Sequence, residues 1–227
     1  MEIKKAILKT KDINSMKTFY TDILGMPLKE ESEDKFQILA GSSLLEFTSR
    51  KVEGEPFYHF AFDIPSNKFR EAKTWAESKV NLNSEDGEDE ADFSHIPAHS
   101  LYFYDPAGNV VEFISRHSTA EKSEEPFSSK SILNISEMSL TVEDAIQTGR
   151  KLIELGLKER DDDPISDSSL NFMGKNVTGP FLLLIQPGRR WIFSDKISAV
   201  HPIEILLDTN DRIVVTDNDE IVINPNS

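Results

Sequence analysis

One order of predicted elements returns three times along this chain, and the repeat restricts the folds that are open to it. In the first copy, residues 3–9 have the pattern of a short strand. Asp12 then caps a helix with apolar residues at helical spacing, and Gly25 ends that helix. Three more strands are predicted, at residues 28–31, 36–40 and 44–48. The order of this unit is βαβββ.

The same order returns twice further along. In the second copy a strand at 57–64 precedes a helix opened by Pro65 and Ser66, and a turn at 105–109 closes a hairpin. In the third copy, residues 137–144 align without a gap on residues 5–12. We predict modules at 1–52 and 53–118 that form one domain, 1–118, a linker at 119–131, and a third module with extra C-terminal strands at 132–227. The repeat does not account for those extra strands.

These modules predict an α+β fold. A βαβββ unit covers one face of its curved four-stranded sheet with a helix, so the other face needs a second sheet. We therefore expect paired modules that form curved, barrel-like sheets around an inner cavity, with the third βαβββ-like module at the C-terminus.

Composition excludes several classes of function. The formal net charge of −15 disfavours binding to nucleic acid or to an anionic membrane, and no apolar run has the length of a membrane span. The chain has no cysteine, which removes disulfides, thiolate metal sites and cysteine nucleophiles. No phosphate loop, dinucleotide fingerprint or nucleophile elbow is present. We predict a cytoplasmic, bacterial protein with a small-molecule substrate.

Two passages carry a family resemblance. Tyr58-His59-Phe60-Ala61-Phe62-Asp63-Ile64 and Tyr102-Phe103-Tyr104-Asp105-Pro106-Ala107-Gly108-Asn109-Val110-Val111-Glu112-Phe113 resemble the two signatures of the vicinal oxygen chelate superfamily. That superfamily contains glyoxalase, bleomycin resistance proteins and extradiol dioxygenases. The resemblance covers residues 1 to about 116 well and the third copy more faintly. It implies a divalent metal ion in a cleft, bound by the first and last strands of each module.

Carried over by position, the resemblance implies three metal ligands. They are His59 and Glu112 in the second module and Glu46 in the first, and they suit Fe, Mn, Ni, Zn or Co. The fourth position falls on Lys5, whose ammonium group has no lone pair for a metal. The alternative is that Lys5 pairs with one of these carboxylates and replaces the metal.

In the third copy, one of the two expected ligand positions holds an acidic residue and the other does not. Glu137 lies seven residues before the helix cap Asp144, as His59 lies seven residues before Ser66. The predicted last strand, around residues 181–185, contains no acidic residue. We therefore expect this module to be scaffold. The run Pro187-Gly188-Arg189-Arg190-Trp191 is interpreted as a contact between domains.

Other residues are candidates for contact with a substrate. In a regular hairpin Tyr102 lies opposite Glu112 on the same face, and the resemblance to extradiol dioxygenases implies a substrate hydrogen bond there. His99 has the opposite parity, but His95 and His99 are candidate acid–base groups from the approaching loop. Lys5, Phe60 and Phe62 are candidate substrate-binding residues.

Two functions remain open from the sequence. The first is a metal-dependent enzyme, of lyase, isomerase or ring-cleaving dioxygenase type, that acts on a molecule with vicinal oxygens. The second is a metal-free binding or sequestering protein of the bleomycin-resistance type, in which Lys5 neutralises the carboxylates. A homodimer formed through the third module is left open.

Overall fold

The computed structural model describes residues 1–93, 96–175 and 179–226. Within these ranges the helices and strands follow the predicted repeat. The first copy contains β1 Ile3–Lys9, α1 Ile13–Thr18, β2 Leu28–Glu31, β3 Lys35–Ala40 and β4 Ser43–Thr48. The second contains β5 His59–Asp63, α2 Phe69–Glu77, β6 Ala91–Phe93, β7 Ala98–Tyr104 and β8 Val110–Arg116. The third contains β9 Asn134–Thr141, α3 Ala145–Glu154, β10 Lys158–Glu159, β11 Asn171–Gly174 and β12 Phe181–Ile185.

Local signals place the helices largely where the sequence indicates. Asp12 and Asp144 cap α1 and α3, each accepting a backbone hydrogen bond from the residue three positions later. The first helix continues beyond α1 as a π-helical turn, Phe19–Ile23. The second helix begins at Phe69, three residues after the predicted cap Ser66. No helix in the described ranges is long and apolar enough to cross a membrane.

The strands form two curved sheets, and the α+β fold of paired modules is confirmed. The tail supplies β13 Ile203–Leu207, β14 Arg212–Val215 and β15 Ile221–Asn224. One sheet has seven strands in the order β15-β14-β13-β1-β4-β3-β2. The other has eight, in the order β10-β11-β12-β9-β5-β8-β7-β6. The first module is thus completed by the tail, and the second module by the third.

This pairing differs from the expected pairing of the first two modules. Each first strand is bonded on one side to the last strand of its own module, so its other side needs a partner from elsewhere. The β5 strand takes β9 as an antiparallel partner, and β1 takes β13. Several strand pairings would provide hydrogen-bond partners for the backbone groups at this edge, and the sequence repeat alone does not select one of them. The boundaries 1–118, 119–131 and 132–227 stay a prediction.

One continuous core lies between the sheets and their helices. It joins Leu8 and Phe47 of the seven-stranded sheet to Phe60, Phe113 and Leu140 of the eight-stranded sheet. Because side chains alternate along a strand, the neighbours of these residues lie on the other face of each sheet. In the eight-stranded sheet that other face carries the candidate functional residues.

Candidate metal centre

Three buried side chains from three adjacent strands meet on one face of the eight-stranded sheet. They are His59 on β5, Glu112 on β8 and Glu137 on β9, and each is at most 6% exposed. One ligand atom from each lies within 4.8 Å of the other two. The Nε2 atom of His59 is 3.4 Å from Oε2 of Glu112. This spacing allows one ion to touch all three side chains.

The strand register explains the meeting. Ala61 is paired with Glu112 across β5–β8 and with Glu137 across β5–β9. Paired residues project from the same face, so both carboxylates flank Ala61, and His59 follows two residues away on that face. A methyl side chain at position 61 leaves room between the two acids. The small residue is therefore part of the geometry of the centre.

The imidazole of His59 is held with one nitrogen free for a metal ion. Its Nδ1 lies 2.9 Å from the carbonyl oxygen of Val110, which fixes Nδ1 as the donor and leaves the lone pair on Nε2. Burial lowers the pKa of His59, so the ring is neutral near pH 7. A neutral imidazole is the form that ligates divalent metals.

The two carboxyl groups lack sufficient compensation from the protein. Burial raises the pKa of Glu112 to about 7, an effect that nearby hydroxyls and the Arg116 charge reduce. Burial also raises the pKa of Glu137 to about 7, and the charge of Glu112 adds to it. Two acids in a dry site resist ionisation unless a cation balances them. The donor set of one imidazole and two carboxylates fits a divalent ion.

Arg116 orients one of the acids. Its Nη2 donates to Oε1 of Glu137 at 2.5 Å, and its Nη1 donates to Oδ1 of Asp63 at 2.5 Å and to the hydroxyl of Ser136. The arginine side chain is only 9% exposed, so these bonds are shielded from water. Arg116 thereby fixes one oxygen of Glu137 and leaves the other available to a ligand.

The centre opens into a cavity of about 340 Å³ with largely aromatic and aliphatic walls. The lining residues are His59, Phe93, Ile96, Tyr102, Glu112, Ile114, Glu137, Arg160, Ser169, Leu170, Phe172, Leu183, Arg189, Trp191 and Ile192. A smaller cavity of about 160 Å³ shares Ile96, Glu137 and Arg160 with it. This volume and composition suit a small organic molecule.

A segment between β12 and β13 covers the centre. We call residues 187–198 the strap. Within it, the Trp191 ring lies 4.8 Å from the His59 ring, and Phe193 stacks on Tyr102 at 5.0 Å. The Glu85 carboxylate binds Arg190 and accepts a hydrogen bond from the Phe193 nitrogen at 2.6 Å. The strap thus forms an apolar wall that is tied to the second module by polar contacts.

Glu46 does not lie with His59 and Glu112, although the sequence places it in their ligand set. It belongs to the seven-stranded sheet, where its Oε2 is 2.9 Å from the Lys5 ammonium and 2.5 Å from Nε2 of Gln37. The reason is the strand pairing, since β4 and β5 lie in different sheets. Lys5 does pair with a carboxylate, but away from the cavity.

Three other predicted site residues also point elsewhere. Phe60 and Phe62 alternate with His59 and Ala61, so they face the shared core and are fully buried there. His99 lies outside the cavity lining, with Nδ1 3.0 Å from Nε2 of His117 and its ring 5.2 Å from the Phe69 ring. His95 lies outside the described residues.

Tyr102 takes the predicted position. It is paired with Glu112 across β7–β8, lines the cavity and is 1% exposed. Burial raises its pKa well above the ordinary value of 10.0, and the Glu112 charge adds to this. The hydroxyl therefore keeps its proton and acts as a hydrogen-bond donor.

The sequence analysis missed the role of the third module. Glu137 had a visible signal, because its distance from Asp144 matches the distance from His59 to Ser66. The missing acid in β12 led to the expectation that the module is scaffold, whereas Glu137 lies beside His59 and Glu112. No spacing rule pointed to Arg116, since its partners come from distant parts of the chain. The run that ends in Trp191 was interpreted as a contact between domains, and its Arg189 and Trp191 line the cavity.

Two family models match the chain. Residues 3–113 match the Glyoxalase/Bleomycin resistance protein/Dioxygenase superfamily, and residues 135–189 match a model described as toxoflavin-degrading enzyme. Residues 3–113, just under half of the chain, therefore resemble the members of that superfamily. Members of that superfamily typically use a divalent metal ion, and the cluster described above is compatible with one.

Several solved structures are similar to this chain. A proposed dioxygenase from Bacillus subtilis has 15% identity and a TM-score of 0.55, covering 81% of this chain and 63% of that one. An integron cassette protein from the mobile metagenome of a Halifax Harbour sewage outfall has 24% identity and a TM-score of 0.43, covering 50% and 97%. Lactoylglutathione lyase from Agrobacterium tumefaciens has 21% identity and a TM-score of 0.41, covering 49% and 90%. No curated protein matches the chain.

Proposed function

We propose that this protein is a divalent-metal-dependent enzyme that acts on a small molecule with two adjacent oxygen atoms. The chemistry is of the lyase, isomerase or ring-cleaving dioxygenase type. The observation that carries the proposal is the buried cluster of His59, Glu112 and Glu137 at the wall of a cavity of about 340 Å³. Two buried acids beside a neutral imidazole are costly for a structural role and useful for holding a cation.

Each residue of the centre has a distinct task in this proposal. His59, Glu112 and Glu137 hold the ion, which as a Lewis acid stabilises negative charge on the substrate oxygens. Arg116 keeps Glu137 in its orientation through the bond to Oε1. Tyr102, protonated at neutral pH, donates a hydrogen bond to a substrate oxygen beside the ion.

The walls favour a flat, conjugated substrate. Trp191 and Phe172 line the cavity with Tyr102, and aromatic faces bind flat rings by stacking. Trp191 is 4% exposed and rests against His59, so it also keeps bulk water from that side of the ion. A shielded site strengthens the electrostatic interactions between ion and substrate.

A second candidate activity is toxoflavin degradation, which stands as an alternative to the vicinal-oxygen substrate because toxoflavin is a flat, uncharged dione whose two carbonyl groups are not adjacent. The matching segment, 135–189, contains Glu137 together with Arg160, Phe172, Leu183 and Arg189 of the cavity wall. The part of the chain that resembles the toxoflavin-degrading family is therefore the part that completes the proposed centre. This makes toxoflavin the first substrate to test.

The test combines metal content with turnover. Protein purified without chelator is analysed for Mn, Fe, Ni, Zn and Co, and toxoflavin loss is followed by absorbance with each ion added. We expect the wild-type protein to bind close to one ion per chain. Glu112→Gln and Glu137→Gln should each lose the ion, and their turnover should fall at least about 100-fold. Glu46→Gln is the matched control, because this buried glutamate lies in the other sheet.

The outcomes separate the proposals. Metal binding that survives both substitutions would rule out the proposed centre. If the protein binds metal but does not consume toxoflavin, toxoflavin is excluded as its substrate, and the proposal of a metal-dependent enzyme still stands. In the metal-free alternative Lys5 neutralises the carboxylates. Lys5 pairs with Glu46, which leaves Glu112 and Glu137 without that cation, and a wild-type protein that holds no metal would favour the alternative.

A further inference from the structure

Two arginines line the cavity with donors that have no partner among the residues that the structure describes. Arg160 directly follows β10, and its side chain is 14% exposed. Its Nε and Nη2 donate to Oδ2 of Asp161 at 3.1 and 2.7 Å, while its Nη1 has no hydrogen-bond partner among the described residues. Arg189, which is half-buried, forms neither a side-chain hydrogen bond nor an ion pair within the described ranges.

Arg160 is also held in place. Its guanidinium carbon lies 4.4 Å from the centroid of the Phe172 ring, a stacked cation–π arrangement. Its backbone nitrogen donates to the Phe172 carbonyl oxygen at 2.9 Å. A guanidinium fixed on an aromatic face loses little freedom when it binds a ligand, and its planar fork matches a carboxylate.

The positive charges of Arg160 and Arg189 are only weakly compensated by acidic side chains among the described residues. The only described carboxylate that binds either guanidinium is Asp161, which is 57% exposed, and exposed ion pairs contribute little. Once a divalent ion sits between Glu112 and Glu137, the acidic side of the cavity is neutralised. The remaining excess charge of the cavity wall is then positive, in a chain whose formal net charge is −15.

We propose that Arg160 and Arg189 form an anion subsite that selects flat aromatic substrates carrying a carboxylate or similar anionic group in addition to their two vicinal oxygens. The inference rests on the proposed metal-dependent function, because the ion and the subsite bind the same molecule. Glu137 and Arg160 line both cavities, so the guanidinium of Arg160 lies on the same cavity wall as a proposed ligand of the ion.

A matched pair of probes tests this subsite. Catechol and 3,4-dihydroxybenzoate present the same adjacent oxygens, and only the second adds a carboxylate. We measure the Kd of each by calorimetry on the Mn²⁺-loaded full chain. We expect 3,4-dihydroxybenzoate to bind about tenfold more tightly than catechol, the effect of one charge-assisted contact.

Substitutions of the two arginines test whether they cause the preference for 3,4-dihydroxybenzoate over catechol. In Arg160→Gln/Arg189→Gln the two probes bind equally, while the Mn²⁺ affinity stays unchanged. Arg160→Lys keeps part of the preference, because the charge remains and the fork is lost. Arg150→Gln is the matched control on the exposed surface and keeps the whole preference.

Failure of the subsite differs from failure of the proposed function. Equal binding of both probes by the wild-type protein overturns the subsite and leaves the metal-dependent function standing. Binding of neither probe to the Mn²⁺-loaded protein overturns both the subsite and the proposed vicinal-oxygen substrate. A preference in the wild-type protein that does not shrink as salt is raised from 50 to 500 mM also overturns the subsite, and this readout needs no variant.

Discussion

Ala61 shows how a small side chain leaves room for the candidate metal centre. The equivalent residue of the first sheet is Ile7, which is paired with Glu46 on β4 and with Glu204 on β13. Lys5 stands two residues before Ile7, as His59 stands two residues before Ala61. The first sheet therefore repeats the arrangement of acids but fills the space between them with a larger side chain and places an ammonium group in the position of the imidazole.

We predict that Ala61→Ile abolishes metal binding while the chain still folds. The added carbons occupy the space between Glu112 and Glu137, and such overpacking costs about 1–3 kcal/mol of unfolding free energy. Metal analysis and thermal melting with and without Mn²⁺ check this. Ile7→Val is the control, and it should leave the metal content unchanged. A stoichiometric ion in Ala61→Ile would contradict the role given to this residue.

The two acids predict a pH dependence of stability. Their pKa values of about 7 exceed the ordinary value of 4.5, so the metal-free native state binds more protons than the unfolded chain between these values. The contribution of these two groups to the free energy of unfolding of the metal-free protein therefore falls as the pH rises from about 4.5 to about 7. A divalent ion needs both groups ionised, so its stabilising effect rises over the same window.

The measurement is the shift in Tm caused by Mn²⁺ at a series of pH values. We expect a small shift near pH 5, a growing one up to about pH 7, and a plateau above it. In Glu137→Gln the shift should be small at every pH. A wild-type shift that is constant from pH 5 to 8 would show that these carboxyl groups do not bind the ion.

The strap is the element that separates the centre from water. Phe193 has a φ of 51°, a left-handed conformation that is unfavourable for a bulky side chain. The surrounding contacts hold it there: its ring stacks on Tyr102, its nitrogen donates to Glu85, and its carbonyl oxygen accepts from Asn83. A strained residue against a candidate catalytic tyrosine indicates that the strap is fixed by contacts with the second module rather than by its own preference.

We predict that Glu85→Ala loosens the strap without unfolding the protein. The substitution removes the bonds to Arg190 and to the Phe193 nitrogen, which contribute about 1–3 kcal/mol to local stability. Amide hydrogen exchange in residues 187–198 should accelerate about tenfold, with a change in Tm of only a few degrees. Glu88→Ala, at an exposed position nearby, is the control. Unchanged exchange in the strap would show that this carboxylate does not hold it.

On the scale of the whole molecule, the third module completes the centre of the second. The β5–β9 pairing brings Glu137 beside Ala61, and the tail pairs with β1 to complete the other sheet. Neither sheet is therefore complete within residues 1–118. The homodimer considered from the sequence stays a prediction.

We predict that a chain truncated after residue 118 binds no divalent ion at the affinity of the full chain. It lacks Glu137 and leaves the β1 and β5 edges without their partners, which favours association through those edges. Calorimetry with Mn²⁺ and light scattering of both chains provide the comparison. Full metal affinity in the truncated chain would contradict the place of Glu137 in the centre.

The sequence by itself determined the repeat, the α+β fold and two members of the centre. Helix caps, turns and alternating apolar residues are local signals, so the modules were readable, and the family signatures pointed to His59 and Glu112. Tyr102 followed from hairpin register, which also depends on near neighbours in the chain.

Only the tertiary structure decided which modules pair. The free edge of a first strand offers the same backbone donors and acceptors to any strand, so the choice between β1–β5 and β5–β9 depends on the packing of the whole core. That choice brought Glu137 to His59 and Glu112 and kept Glu46 with Lys5 in the other sheet. It also brought Trp191 and the two arginines to the cavity, because contacts between distant segments leave no spacing pattern in the chain.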